Sequence, residues 1–247
     1  MKSFATLLKN ELKLNIRNMN MVIFSVIMPL AVLIIIGLIY GQKTTNEGLK
    51  YTFIEQSFSA LCCISICAGG LMGLPLLVSE YRERKILKRF QVTPVSPTKL
   101  LTVEFMIYVI YCVVSMLTLL LASMMFWKIK IHGSFILFLG SWLLTMVSTL
   151  SIGLLVGGIA KNMKSASVIA CILYFPTLIF SGTTLPFEVM PAAMQRIITA
   201  FPLTQGIQLM KAAFLGLELD NALLPIIVMA AVTLICFGIS IKYFKWE

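Results

Sequence analysis

Six stretches of this chain are apolar for long enough to cross a bilayer: about 19–40, 56–78, 101–127, 134–160, 166–185 and 222–241. Short polar connections separate most of them, which predicts an all-α integral membrane protein. The organisation expected is an amphipathic lead-in over 1–18 and one six-span body over 19–247. Three segments depart from the simple alternation of span and turn, and they carry most of the information about function.

The first is the lead-in. On a helix, Lys2, Lys9, Lys13 and Arg17 fall in one arc, and Phe4, Leu7, Leu8, Leu12 and Leu14 lie mostly across from it. The pattern predicts an interface helix on the membrane surface. Glu11 falls inside the apolar arc, so a hydrophilic lead-in to the first span also fits. A cleaved signal peptide is not expected, because the apolar run from Met19 to Tyr40 is longer than an h-region and has no clear small-residue cleavage site.

The second is Ser79–Leu100, SEYRERKILKRFQVTPVSPTKL, the one long charged run. Helical spacing puts Ile86, Leu87 and Phe90 on one side and Arg82, Arg84, Lys85, Lys88 and Arg89 on the other. Glu80 and Glu83 sit in the first turn and most of the bases come later, which suits a helix dipole, and Thr93-Pro94 with Ser96-Pro97 supplies the stop. A surface helix over Glu80–Phe90 is expected. A solvated loop that only fixes topology and a docking helix for a cytoplasmic partner are both compatible with the pattern.

The third is 182–221, too long and apolar for a plain external loop and too broken for a span. Pro186, Pro191 and Pro202 divide it into two short helices, about 189–200 and 203–215, with Glu188 between the first two prolines. A re-entrant or interfacial hairpin on the outer face is expected, because irregular backbone at membrane depth survives only where protein or a water-filled cavity surrounds it. A loop lying on the membrane surface is the alternative.

Charge then orients the bundle. Of the 20 Lys and Arg residues, 14 fall in the termini and the connections on their side, and 6 fall in the others. The positive-inside rule puts both termini and the 79–100 loop in the cytoplasm. The net charge of +10 would suggest nucleic acid in a soluble protein, but in a chain that is 59% hydrophobic and 12% charged it reads as topology and contact with anionic lipid. Gly69-x-x-x-Gly73 and Gly153-x-x-x-Gly157 would let helices approach closely, and Pro29, Pro75, Pro176 and Pro225 are candidate kinks.

Catalytic chemistry finds little support. No G-x-x-x-x-G-K-[ST] loop is present to cradle phosphates. The single histidine, His132, sits in a short external turn and reads as an interfacial polar residue. Cys62, Cys63, Cys67, Cys112, Cys171 and Cys236 all fall within spans, as small buried apolar residues rather than a disulfide framework or a metal site. The chain is not expected to be an enzyme.

The order of these parts carries a resemblance. An amphipathic N-terminal helix, six spans, ER-x-x-LKR-x-x-x-TP-x-S over Glu83–Ser96 and SG-x-x-x-P-x-x-x-MP-x-x-x-Q…PLT over Ser181–Thr204 resemble the type-2 permease subunits of ATP-binding-cassette exporters. The outer motif is more similar to the drug- and antibiotic-exporting branch than to the polysaccharide branch. The resemblance implies a dimer of six-span subunits, with a second copy or a related permease. It also implies a separate cytoplasmic ATPase that binds ATP and Mg, itself engaging the N-terminal helix and the loop between spans two and three. By that resemblance Glu80–Phe90 is the ATPase-coupling helix, and Phe4, Leu8, Lys9, Leu12, Lys13 and Arg17 belong to the interface helix. Spans two and five would line the pathway, which points to Phe58, Met72, Phe175, Thr177 and Phe180.

Two other classes remain open at this point. An ion-coupled secondary transporter needs an ionisable group within the membrane, and Glu104 is the candidate, with Lys99 within reach as a structural partner. A non-transporting scaffold or sensor subunit would need only the docking loop.

Overall fold

The computed structural model describes residues 2–17, 19–40, 51–86, 88, 97–180, 201–218 and 222–243. The elements among them are all helices: α1 (Lys2–Arg17), α2 (Met19–Tyr40), α3 (Phe53–Glu83), α4 (Pro97–Trp127), α5 (Phe135–Ile159), α6 (Met163–Phe180), α7 (Pro202–Leu215) and α8 (Leu223–Tyr243). Five of these, α2, α3, α4, α5 and α8, are long and apolar enough to cross a membrane. The span expected over 166–185 corresponds to α6, whose continuation beyond Phe180 falls outside the described residues, as does the expected helix at 189–200.

The centre of the bundle is α3, which packs against α2, α4, α5, α6 and α7. Its composition explains the position. Between Ser57 and Gly73 the helix is dominated by Ser, Ala, Cys and Gly, which let neighbours approach, whereas α2 and α8 carry Leu, Ile, Val and Met all round. Large side chains on those outer helices, Leu38, Ile39, Ile227 and Leu234 among them, are exposed. So much apolar surface is compatible with a lipid surround and not with water.

The close approach of α3 and α5 rests on glycine. A Cβ on Gly153 would run into the carbonyl oxygen of Gly70, and one on Gly157 would lie 2.8 Å from the Val78 Cβ. Gly69 and Gly73 face Tyr108 of α4 instead. The two glycine motifs therefore serve different neighbours.

Two of the four candidate prolines reshape their helices in the same way. A wide π turn, Ile23–Ile27 in α2 and Ala68–Gly73 in α3, ends two residues before Pro29 and Pro75 respectively. A proline inside a helix lacks the N–H and presses on the carbonyl four residues back, and a turn with one extra residue relieves both demands. Pro176 lies inside α6. Pro225 lies in the first turn of α8, where its missing N–H has no bond to forfeit, so the expected kink is replaced by an ordinary helix start.

Candidate functional site: two polar ends and the basic segment

At one end of the bundle four parts converge: α1, the last turn of α3, the first turns of α4, and the turn joining α5 to α6. The 31 residues of α3 extend about 46 Å, well beyond a hydrocarbon core of roughly 30 Å, so its last turn projects past the apolar layer. That turn carries Glu80, Tyr81, Arg82 and Glu83. The structure corrects the expectation of one surface helix over Glu80–Phe90. Glu80–Glu83 continue α3, and the helix stops at Arg84 and Lys85, where Lys85 adopts a φ of 55°. Arg84, Lys85 and Lys88 are exposed, Ile86 is half-buried against the core, and Leu87, Arg89 and Phe90 lie outside the described residues.

Arg82, expected on the solvated basic face, is 7% exposed. Its guanidinium donates to the carbonyls of Gly157, at 3.2 Å, and Gly158, at 2.6 Å, and also to Ala160. These are the last carbonyls of α5, which have no partner within the helix and form the negative end of its dipole. A signal was available in the sequence: Arg82 falls four residues after Val78 and seven after Pro75, in line with the buried strip that meets α5. The next residue performs the complementary task. Glu83 Oε2 accepts from the Met163 N–H at 3.0 Å, at the positive N-terminus of α6. Glu80 pairs with Arg84 at 2.9 Å across an exposed i,i+4 spacing of small energetic weight.

A second cluster joins α1 to the bundle. Glu104 on α4 is fully buried, accepting from the Tyr81 hydroxyl at 2.8 Å and from the Asn15 amide at 3.3 Å. The partner expected from sequence, Lys99, is exposed, and Tyr81 and Asn15 take its place. Glu11 joins the same cluster. Burial pushes its carboxyl above the usual range, against hydrogen bonds with Glu104 and Tyr81 that favour ionisation. Glu11 and Asn15 share a face of α1 with Phe4, Leu7, Leu8 and Leu12, and the apparent flaw in the apolar arc is thus the polar contact to α4. Lys9, Lys13 and Arg17 point outward as expected, but Leu14 is exposed, outside the packed face.

The opposite end is built differently. Thr52 and Glu55 form a reciprocal cap at the start of α3, with Glu55 Oε2 accepting from the Thr52 N–H at 2.8 Å. Glu55 Oε1 also accepts from the Lys130 N–H at 2.9 Å and lies 3.4 Å from His132 Nε2. The backbone N–H groups of His132 and Gly133 both donate to the Phe214 carbonyl, and α7 ends at Gly216 in the left-handed region. His132 thus belongs to a clasp that ties α3, the α4–α5 turn and α7 together.

The residues expected along a pathway do not share one surface. Phe58 is wholly buried, with its ring 4.9 Å from Phe214 and 5.9 Å from Phe138, and is a core residue of the subunit. Met72 is half-buried. Thr177 is buried and donates back to the Leu173 carbonyl of its own helix, while Phe175 is exposed. The Phe180 side chain lies outside the described residues. Of the outer hairpin, Pro186, Glu188 and Pro191 also lie outside them, and Pro202 opens α7, which buries most of its length against α5 and α3.

The six cysteines are free thiols, five buried and Cys171 half-buried. No group of three or more His, Cys, Asp or Glu that could hold a metal occurs among the described residues.

A family profile described as ABC-2 type transporter matches residues 2–215. The "Inner membrane transport permease YhhJ" of Escherichia coli strain K12 is 29% identical over 168 residues, covering 68% of this chain and 44% of that protein. The "Probable multidrug ABC transporter permease YbhS" of the same strain is 25% identical over 167 residues, covering 66% of this chain and 44% of that protein. The chain spans less than half the length of these curated relatives.

Proposed function

This chain belongs to the ABC-2 type transporter family, and on that premise we propose that it is the membrane subunit of an ATP-driven exporter. In this reading it works as a dimer in a bacterial plasma membrane, with both termini in the cytoplasm. A separate ATPase subunit binds ATP and Mg and docks on the exposed basic segment after α3. The cargo is an amphipathic drug, antibiotic, peptide or lipid, a class in keeping with the multidrug description printed for one relative.

The observation that carries this reading is the continuity of α3. The central helix of the bundle runs without interruption from the core to Glu83 and then opens into exposed Arg84, Lys85 and Lys88. A push on that basic segment would reach the centre of the bundle along one continuous helix. The exposed positive charge suits an acidic surface on a partner. The secondary-transporter alternative rested on Glu104, whose described bonds serve to join α1, α3 and α4.

The test is co-purification. The chain should carry a nucleotide-hydrolysing subunit with it from the native membrane. Lys85→Glu combined with Lys88→Glu should abolish that association while membrane insertion stays intact. Transport by the chain alone, driven by a proton gradient with no ATPase present, would overturn the proposal.

A further inference from the structure

Two adjacent residues of opposite charge, Arg82 and Glu83, hold the two sides of a single turn. Arg82 binds the terminal carbonyls of α5, and Glu83 accepts the first N–H of α6. Only Ala160, Lys161 and Asn162 separate those helices, and Asn162 closes the turn by accepting the Ser165 N–H at 2.8 Å. Each charge sits against the helix end whose dipole it complements. The guanidinium is also excluded from water, so its bonds are not in competition with solvent as those of the exposed Glu80–Arg84 pair are. These bonds link residues about 80 positions apart in sequence, between the end of α3 and the α5–α6 turn.

We propose that Arg82 and Glu83 are positioning residues that carry movement of the basic segment to the α5–α6 turn, so that α5 and α6 move with the end of α3. The inference rests on the exporter reading and deepens it by naming where the stroke leaves the loop. Lateral transmission at this level has a physical basis. The segment is adjoined directly to both residues, at Arg84, and the paired contacts resist sliding in either direction along the turn. Without them, α3 would touch α5 chiefly through the apolar surface around Gly70, Gly153, Val78 and Gly157, which permits slip.

The experiment uses the complex of the chain with its co-purifying ATPase. Spin labels at Lys99→Cys and Lys164→Cys, both exposed positions, report the distance from the start of α4 to the α5–α6 turn. In the otherwise wild-type chain the distance should differ between the nucleotide-free complex and the complex trapped with ATP and vanadate. Arg82→Met should lower the ratio of shifted to unshifted pairs roughly tenfold while the complex still hydrolyses ATP. Arg82→Lys, which keeps a donor beside the same carbonyls, should restore part of the shift. A purely structural role would instead lower the melting temperature and leave the shift of the folded fraction unchanged, which would overturn the inference. Should Arg82→Met fail to fold, Glu83→Ala decides in its place: a lost shift supports the clamp, and a wild-type shift refutes it. An ATPase that binds and hydrolyses with no shift in the wild-type pair refutes the clamp and leaves docking standing. No ATPase bound to the wild-type chain would end the exporter reading and this inference together.

Discussion

The two ends of the bundle use buried carboxylates and backbone amides in different ways. At the Glu55 end, donors from Thr52 and Lys130 converge on one carboxylate, and the Phe214 carbonyl receives two neighbouring N–H groups. At the Arg82 end, partners are spread over α1, α3, α4 and the α5–α6 turn, and the same stretch continues into exposed bases. Backbone donors fix a position because the main chain itself holds them, whereas long side chains reaching between separate helices can be exchanged. The first arrangement closes the fold, and the second leaves it open to a partner.

The contrast can be broken most sharply at Glu55. Glu55→Ala leaves buried N–H groups without an acceptor and should cost about 3 kcal/mol, read as a shift in the detergent-unfolding midpoint, with ATPase association of the folded fraction unchanged. Arg82→Met should cost less, about 1 kcal/mol, since water can reach carbonyls at a helix end once the guanidinium is gone. A larger loss at Arg82 than at Glu55 would reverse the assignment of the two ends.

Glu104 offers a finer distinction. Glu104→Gln keeps an acceptor for the Tyr81 hydroxyl and should change stability by less than about 1 kcal/mol. Glu104→Leu should loosen α1 and expose Lys9 and Lys13 to limited trypsin cleavage. Equal protection in both variants would mean that α1 is held by its apolar face alone.

The smallest expected effect is a pH dependence. Glu11 has a carboxyl raised from its ordinary value of 4.5 by burial against α4. A raised value means that docked α1 holds the proton more tightly than free α1. The contribution is therefore complete below about 4.5 and fades as pH rises through the shifted value. Protease protection of α1 should decline with rising pH in that window, and Glu11→Gln should flatten the decline.

These differences also mark what could be read from sequence. Five of the six span positions, the basic segment and the helix that begins at Pro202 were legible because they depend on local hydropathy, charge and proline spacing. The roles of Arg82, Glu104 and Phe58 were not, because each depends on which neighbour a helix face meets. Arg82 looked like one more member of a basic run until α5 presented its terminal carbonyls. Phe58 looked available to a pathway until Phe138 and Phe214 enclosed it. The polar positions Glu11 and Asn15 held a usable clue, since a carboxyl and an amide four residues apart on an apolar face call for a polar receiver in the adjoining helix.

The π turns before Pro29 and Pro75 pack against each other. Each contains one residue more than an ordinary turn, and rewinding it would rotate everything beyond by the arc of a single residue while most backbone bonds survive. With these two loose joints side by side, a twist entering the lower part of α3 meets a neighbour that yields at the same level. The bundle thus has a built-in flexure seam between its basic end and the firmly clasped end beyond it.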